Sequence, residues 1–253
     1  VTSHGMPDKT KKWPIIAPIY YPIMRFILAK FSKMITTVSE LDAKYYQPYT
    51  SEKIVYIPNG INVIDINQPK TKEKPDIFFA AGRIMPTKGC HILLKALHNI
   101  EYDGNLFIAG DLNQIESYKK KLFSLSKNLK AIFLGLIKDK SLLLGYIQQA
   151  KYFVFPSSVE AMSMMLLESA LTKTPIIASD IPENRAVFTP EEALFFQVDN
   201  IEDLSAKLLF AFENTEIMQQ KALRAYQRVV EEYNVVNIAP RYGCLYEKLL
   251  SNE

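Results

Sequence analysis

Phe153-Val154-Phe155-Pro156-Ser157-Ser158-Val159-Glu160-Ala161-Met162-Ser163-Met164-Met165-Leu166-Leu167-Glu168-Ser169-Ala170-Leu171-Thr172-Lys173-Thr174-Pro175-Ile176-Ile177-Ala178-Ser179 decides the fold. Its opening apolar run has the composition of a strand buried on both faces, and Pro156 with Ser157 breaks it. The apolar spacing then turns helical through Leu171, and Pro175 opens a second apolar strand. Strand, helix, strand is a βαβ unit. In such a unit a ligand sits outside the carboxyl end of the strand, where free N–H groups and the positive dipole end of the next helix favour an anion. Glu160 in the connecting loop and Glu168, about two turns into the helix, flank that place. A carboxylate within the helix can accept a pair of hydrogen bonds from vicinal hydroxyls, as on a ribose, while one in the loop can reach a different polyhydroxylated group. That is a geometry for a nucleotide sugar. Two glutamates placed so also occur as an N-cap carboxylate and a solvated helix residue, and the pair alone leaves both readings open.

Outward from this stretch the rhythm is regular. Residues 77–81, 106–109, 131–134 and 193–198 read as strands, and residues 88–100, 115–127, 140–150 and 201–233 as helices. This alternation predicts an α/β domain, a doubly wound parallel sheet over about residues 76–228 with helices on both faces. Further upstream, residues 34–39 and 53–57 have the β-branched composition of strands, Ser39 and Asp42 start a helix running to about Tyr46, and Pro58-Asn59-Gly60 is a turn. Residues 65–75 are polar and rich in Pro and Lys, which marks a linker or boundary.

Composition narrows the classes. With 253 residues and 48% hydrophobic content the chain holds one large or two small domains with an ample core. A formal net charge of +3 is too small to argue for nucleic acid, and the lysines at 119, 120, 121, 127 and 130 read as a solvated helix face. Cys90 and Cys244 have no metal-ligand or CxxC spacing, which points to a reduced, cytoplasmic protein without a structural metal. No run reaches the roughly 18 apolar residues of a membrane span. The nearest, residues 13–34, is broken by Pro14, Pro18, Pro22, Arg25, Lys30 and Lys33 and reads as an amphipathic helix packed in a domain, the other reading being a rest on an anionic membrane surface. The chain starts at Val1, and residues 1–5 read as the end of a strand, so a piece of something longer is expected.

The strand at residues 77–81 runs into Gly82-Arg83-Ile84-Met85-Pro86-Thr87-Lys88-Gly89. A glycine at the strand end lets a ligand approach the backbone, and Arg83 and Lys88 just before a helix supply two cations for a diphosphate. An Arg and a Lys near a helix start are also ordinary surface residues. No GxGxxG or GxxxxGK[ST] competes.

Gly82-Arg83 with Lys88-Gly89, then Pro156-Ser157 with Glu160 and Glu168, then Thr174-Pro175 with Ser179-Asp180, resembles the nucleotide-binding half of the retaining GT-B glycosyltransferases, and more narrowly their group 1 or family 4 class. Ile57-Pro58-Asn59-Gly60 is similar to that family's interdomain turn, residues 238–246 to its terminal helix, and Phe133-Leu134-Gly135 and Ile108-Ala109-Gly110 fit as well. The resemblance covers nearly the whole chain. It implies residues 1–64 as the remnant of an incomplete Rossmann-like acceptor-side domain, a linker at 65–75, a nucleotide-sugar-binding domain at 76–228, and C-terminal helices at 229–253 that pack back toward the N-terminal part.

The resemblance also implies roles. Arg83 and Lys88 would contact the donor diphosphate beside Gly82, Glu168 the ribose hydroxyls, and Glu160 hydroxyls of the transferred sugar. Ala161, Met162, Ser163 and Met164 would offer backbone N–H groups to the sugar and distal phosphate, where many relatives have Gly-Phe-Gly after the first Glu. His4-Gly5 matches the family's His-Gly, whose imidazole faces the donor sugar, while His91 and His98 read as structural. The expected activity is transfer of a sugar, with retention and without metal or other cofactor, from a nucleotide-sugar donor to a glycan or lipid-linked acceptor. Surface polysaccharide or lipopolysaccharide assembly, at the inner face of the membrane, is the setting it implies. With only part of the acceptor-side domain present, weak or absent turnover is expected of this chain alone. A GT-B nucleotide-sugar epimerase and a non-enzymatic nucleotide-binding module are the rival readings.

Overall fold

The computed structural model describes residues 1–3, 17–50, 52–70 and 73–251. Two compact units divide them: Val1–Asn62 with Val159–Ser163 and Glu231–Glu253, and Val63–Ser158 with Met164–Val230.

The first unit holds a three-stranded parallel sheet of β1 (Thr2–Ser3), β2 (Ile35–Thr37) and β3 (Ile54–Tyr56), in that order, together with α1 (Ala17–Phe31), α2 (Glu40–Tyr46) and α10 (Val235–Ser251). Ser39 caps α2 by accepting from the Asp42 N–H at 3.0 Å. Ile57, Ile238 and Leu245 form its core. The turn at Gly60 is pinned to the start of α10: Ile61 N–H donates to the Tyr233 carbonyl at 2.7 Å, and Val235 N–H returns a bond to the Ile61 carbonyl at 2.9 Å. A side chain at Gly60 would come within 3.0 Å of the Val235 Cα, so glycine fits this close approach.

The second unit is a six-stranded sheet in which every pairing is parallel, built from β4 (Ile77–Arg83), β5 (Asn105–Asp111), β6 (Lys130–Gly135), β7 (Tyr152–Phe155), β8 (Ile176–Ser179) and β9 (Leu194–Phe196). Its order is β6-β5-β4-β7-β8-β9. Between them run α3 (Cys90–Asn99), α4 (Glu116–Leu125), α5 (Lys140–Gln149), α6 (Met164–Leu171) and α7 (Pro182–Val187), and α8 (Ile201–Glu213) and α9 (Thr215–Glu232) follow β9.

The middles of the strands are continuously apolar because both faces are covered. Ile77 and Phe79 join a core with Leu93 and Leu97 of α3 and Leu208 of α8, while Phe78, on the opposite face, stacks on Tyr146 of α5. Ser205 of α8 donates to the Ala96 carbonyl at 3.2 Å and fixes the α3–α8 pair. His91 pairs with the Tyr118 hydroxyl at 2.9 Å and His98 with the Leu125 carbonyl at 2.6 Å, so both imidazoles serve the α3–α4 contact. Cys90 is fully buried, which pushes its thiol far up, out of the range of a nucleophile.

Beyond shifts of a few residues at strand ends, three boundaries differ from the sequence reading. The helix at 201–233 is two helices, broken where Asn214 leaves helical geometry and its Nδ2 caps the Phe210 carbonyl at 2.8 Å. Residues 86–88 form a separate 3-10 turn before α3. Helix α6 begins only at Met164, so Glu168 is its fifth residue rather than two turns in. Helix α7, six residues with Pro182 at its start, is too short for any periodicity to announce. Residues 65–68 are laid along α5, where Ser141 donates to the Asp65 carbonyl and accepts from Asn67 N–H at 2.8 Å.

Candidate functional site at the strand-order reversal

Counting from β4, the second sheet runs third, second, first, fourth, fifth, sixth, so the winding direction reverses between β4 and β7. In open parallel sheets the loops leaving the two strands at such a reversal diverge and leave a crevice at their carboxyl ends. The loops are residues 84–89 after β4 and 156–163 after β7.

Two close contacts join these loops. Ser158 N–H donates to the Thr87 carbonyl at 2.8 Å. Gly89, with φ 69°, presses so near Pro156 that a Cβ would stand 2.0 Å from the Pro156 carbonyl oxygen. Below them Ser179 at the end of β8 donates to the Ser157 carbonyl, and Asn184 donates to the Ser179 carbonyl at 3.0 Å and to its hydroxyl at 3.1 Å. Both side chains are buried, so the β7 loop rests on a satisfied polar support.

On this frame Gly82 and Arg83 are the last residues of β4, both exposed, and nothing lies within 4 Å of the space above Gly82. Lys88 ends the 3-10 turn and is half-buried. Glu168 projects from α6, its side chain 12% exposed, and Oε2 accepts from Lys140 Nζ at 2.6 Å. Gly82, Arg83, Lys88, Met164 and Glu168 therefore belong to one unit and to a strand end, a turn and a helix at the carboxyl edge of one sheet. Glu160, Ala161, Met162 and Ser163 are described with the other unit, where the Met162 sulfur accepts from the Asn59 N–H at 3.4 Å in the Pro-Asn-Gly turn. His4 lies outside the described residues.

Two participants escaped the sequence reading. Asn184 sits on the unforeseen α7 and carried no signal. Lys140 did carry one: it is the first residue of a helix capped by Asp139, where the dipole disfavours a cation. A lysine at that position calls for an acidic partner.

The sheet order and the reversal define a doubly wound Rossmann-like fold, and the comparisons narrow it to that of the GT-B glycosyltransferases. Among solved structures, sucrose-phosphate synthase from Thermosynechococcus elongatus superposes with a TM-score of 0.82 at 19% identity, covering 100% of this chain and 68% of that one. A glycosyltransferase from Rickettsia africae does so with a TM-score of 0.78 at 18% identity, covering 91% of this chain and 68% of that one. The family model for glycosyl transferases group 1 matches residues 63–228, and the chain belongs to that family. It is 30% identical over 243 residues to the O-antigen chain mannosyltransferase RfbU of Salmonella typhimurium, covering 90% of this chain and 66% of that protein. It is 29% identical over 190 residues to the capsular polysaccharide biosynthesis glycosyltransferase CapH of Staphylococcus aureus, covering 71% of this chain and 52% of that protein. The chain thus spans from about half to just under two thirds of the length of these two curated relatives.

Proposed function

We propose that the chain is the donor-binding part of a retaining glycosyltransferase that moves a sugar from a nucleoside diphosphate sugar to a glycan or lipid-linked acceptor in surface polysaccharide assembly. The observation that carries this is the reversal between β4 and β7, with Gly82 and Arg83 at one strand end and a bonded loop at the other. Family membership and two relatives named for O-antigen and capsular polysaccharide support the setting.

In this reading Arg83 and Lys88 bind the diphosphate, Glu168 the ribose diol, and Glu160 hydroxyls of the sugar, while backbone N–H groups of residues 161–164 meet the sugar and distal phosphate. The bond from the anomeric carbon to the diphosphate oxygen breaks as the acceptor hydroxyl bonds to the same face, and the hydroxyl proton passes to the departing diphosphate. No protein nucleophile is used. The cations at 83 and 88 act most strongly as charge develops on the leaving group, which is where preorganised electrostatics lowers a barrier. The reaction needs no metal.

In a thermal melt with EDTA present, at least one of UDP-, GDP- and ADP-sugars at about 100 times its Kd should stabilise by roughly 2.7 kcal/mol, a Tm rise of about 5–10 °C. With that donor radiolabelled, sugar should leave the nucleotide only when a glycan acceptor is supplied. No shift with any donor overturns the reading; a shift without transfer, even with the remaining acceptor-side domain supplied, overturns the transferase part.

A lipid-linked acceptor also calls for contact with the membrane's inner face. No helix among the described residues is long and apolar enough to cross a membrane. Helix α1 exposes Ile19, Ile23, Phe26, Ile27 and Phe31 along one stripe, with Lys30 beside them. Sedimentation with phosphatidylglycerol vesicles should carry the protein down, and Phe26→Asp with Phe31→Asp should release it; equal sedimentation of both proteins removes α1 from this role.

A further inference from the structure

We propose that Lys140 is a positioning residue for the donor ribose, acting through Glu168, and that it rather than the glutamate alone determines how strongly the site discriminates a ribose from a deoxyribose. The inference rests on the reading of Glu168 as the ribose ligand and adds to it a residue from a different helix.

The geometry begins with an unfavourable placement. Lys140 is the first residue of α5, and its N-cap Asp139 accepts from Leu142 N–H at 3.1 Å. A cation there faces the positive end of the helix dipole, so the position is poor for helix stability. What the lysine gains is across the crevice edge: Nζ stands 2.6 Å from Glu168 Oε2. Among the described residues Oε1 has no hydrogen-bond partner.

Three consequences follow from carboxylate chemistry. A carboxylate offers about four acceptor positions on two oxygens, so one occupied by Lys140 leaves Oε1 and a second lone pair of Oε2 for two vicinal hydroxyls. The ammonium holds the plane of the carboxylate, which otherwise turns freely about its terminal torsion, so the diol meets acceptors already oriented. It also offsets a negative charge that would repel the diphosphate of the same ligand. The pair is unequal in burial, 48% exposed at Lys140 and 12% at Glu168, so solvent screens the lysine side and the contact alone does little for folding. Its worth lies in what the glutamate does when ligand arrives.

The test measures the affinities of UDP, GDP and ADP, each against its 2′,3′-dideoxy counterpart, by calorimetry on the full chain. The parent should prefer the ribonucleotide it binds best over the dideoxy form by more than tenfold, as loss of two charge-assisted bonds implies. Lys140→Met should lose most of that preference, with the ribonucleotide weakened about tenfold more than the dideoxy form, which loses only the charge offset, and Lys140→Arg should restore it. Lys140→Gln takes the methionine variant's place if that protein melts early. A parent that binds none of the three, or does not discriminate, overturns the ribose assignment of Glu168 itself. A parent that discriminates while Lys140→Met discriminates equally leaves that assignment standing and overturns the role of Lys140.

Discussion

Arg83→Ala and Glu168→Ala are each expected to remove most of the thermal stabilisation by the nucleotide sugar that shifts the parent most, while both apoproteins melt close to the parent. The first half follows from the bonds removed. Hydrogen bonds to charged groups contribute roughly 1.5–3 kcal/mol, so losing one weakens binding by about 10- to 100-fold. With ligand held near ten times the parent Kd, stabilisation then falls from about 1.4 kcal/mol to about 0.4 or less. The second half follows from where the side chains are. Arg83 is exposed at the strand end, and the ion pair of Glu168 reaches a half-exposed lysine, a class of pair worth about 0–1 kcal/mol. A melt performed with and without ligand on three proteins reads both halves. Should both variants respond to donor like the parent, the cationic loop and α6 are not the donor site.

Much of the second unit was legible because burial on both faces leaves stretches such as residues 77–81 of β4 as unbroken apolar runs, and helices between strands as periodic ones. Local pattern does not carry strand order. The reversal between β4 and β7 is a product of crossovers, and it is what puts Arg83 and the 156–163 loop on neighbouring strands. The break at Asn214 was hidden because apolar spacing continues on both sides, and only the cap on the Phe210 carbonyl reveals it. The site was legible as types and spacings but not as supports. Nothing near Pro156 foretells that Gly89 touches it, or that Ser179 and Asn184 hold the Ser157 carbonyl. Likewise nothing local to Met162 says that its sulfur meets the Asn59 amide, 103 residues away in the same unit.

Gly89→Ala is expected to lower the melting temperature by roughly 6–12 °C, the equivalent of about 3 kcal/mol in a chain of this size. Two costs combine. At φ 69° an L side chain strains the backbone by roughly 1–2 kcal/mol. The new Cβ would also stand 2.0 Å from the Pro156 carbonyl oxygen and 2.8 Å from its carbon, and since these are backbone atoms no rotamer change relieves the clash. The loops must part, and parting strains the Ser158 N–H bond to the Thr87 carbonyl and the Ser179 and Asn184 bonds beneath it. Gly82→Ala is the comparison that isolates this argument. Its Cβ would meet nothing within 4 Å, so the apoprotein should keep its stability to within about 0.5 kcal/mol. In the proposed function the donor diphosphate approaches through the same open space, so Gly82→Ala should weaken donor binding while leaving the fold alone. On the proposed function one glycine serves the joint between two loops and the other the ligand above them, and the two melts separate the roles: a Gly89→Ala protein as stable as the parent would show that the loops are not locked together at Pro156.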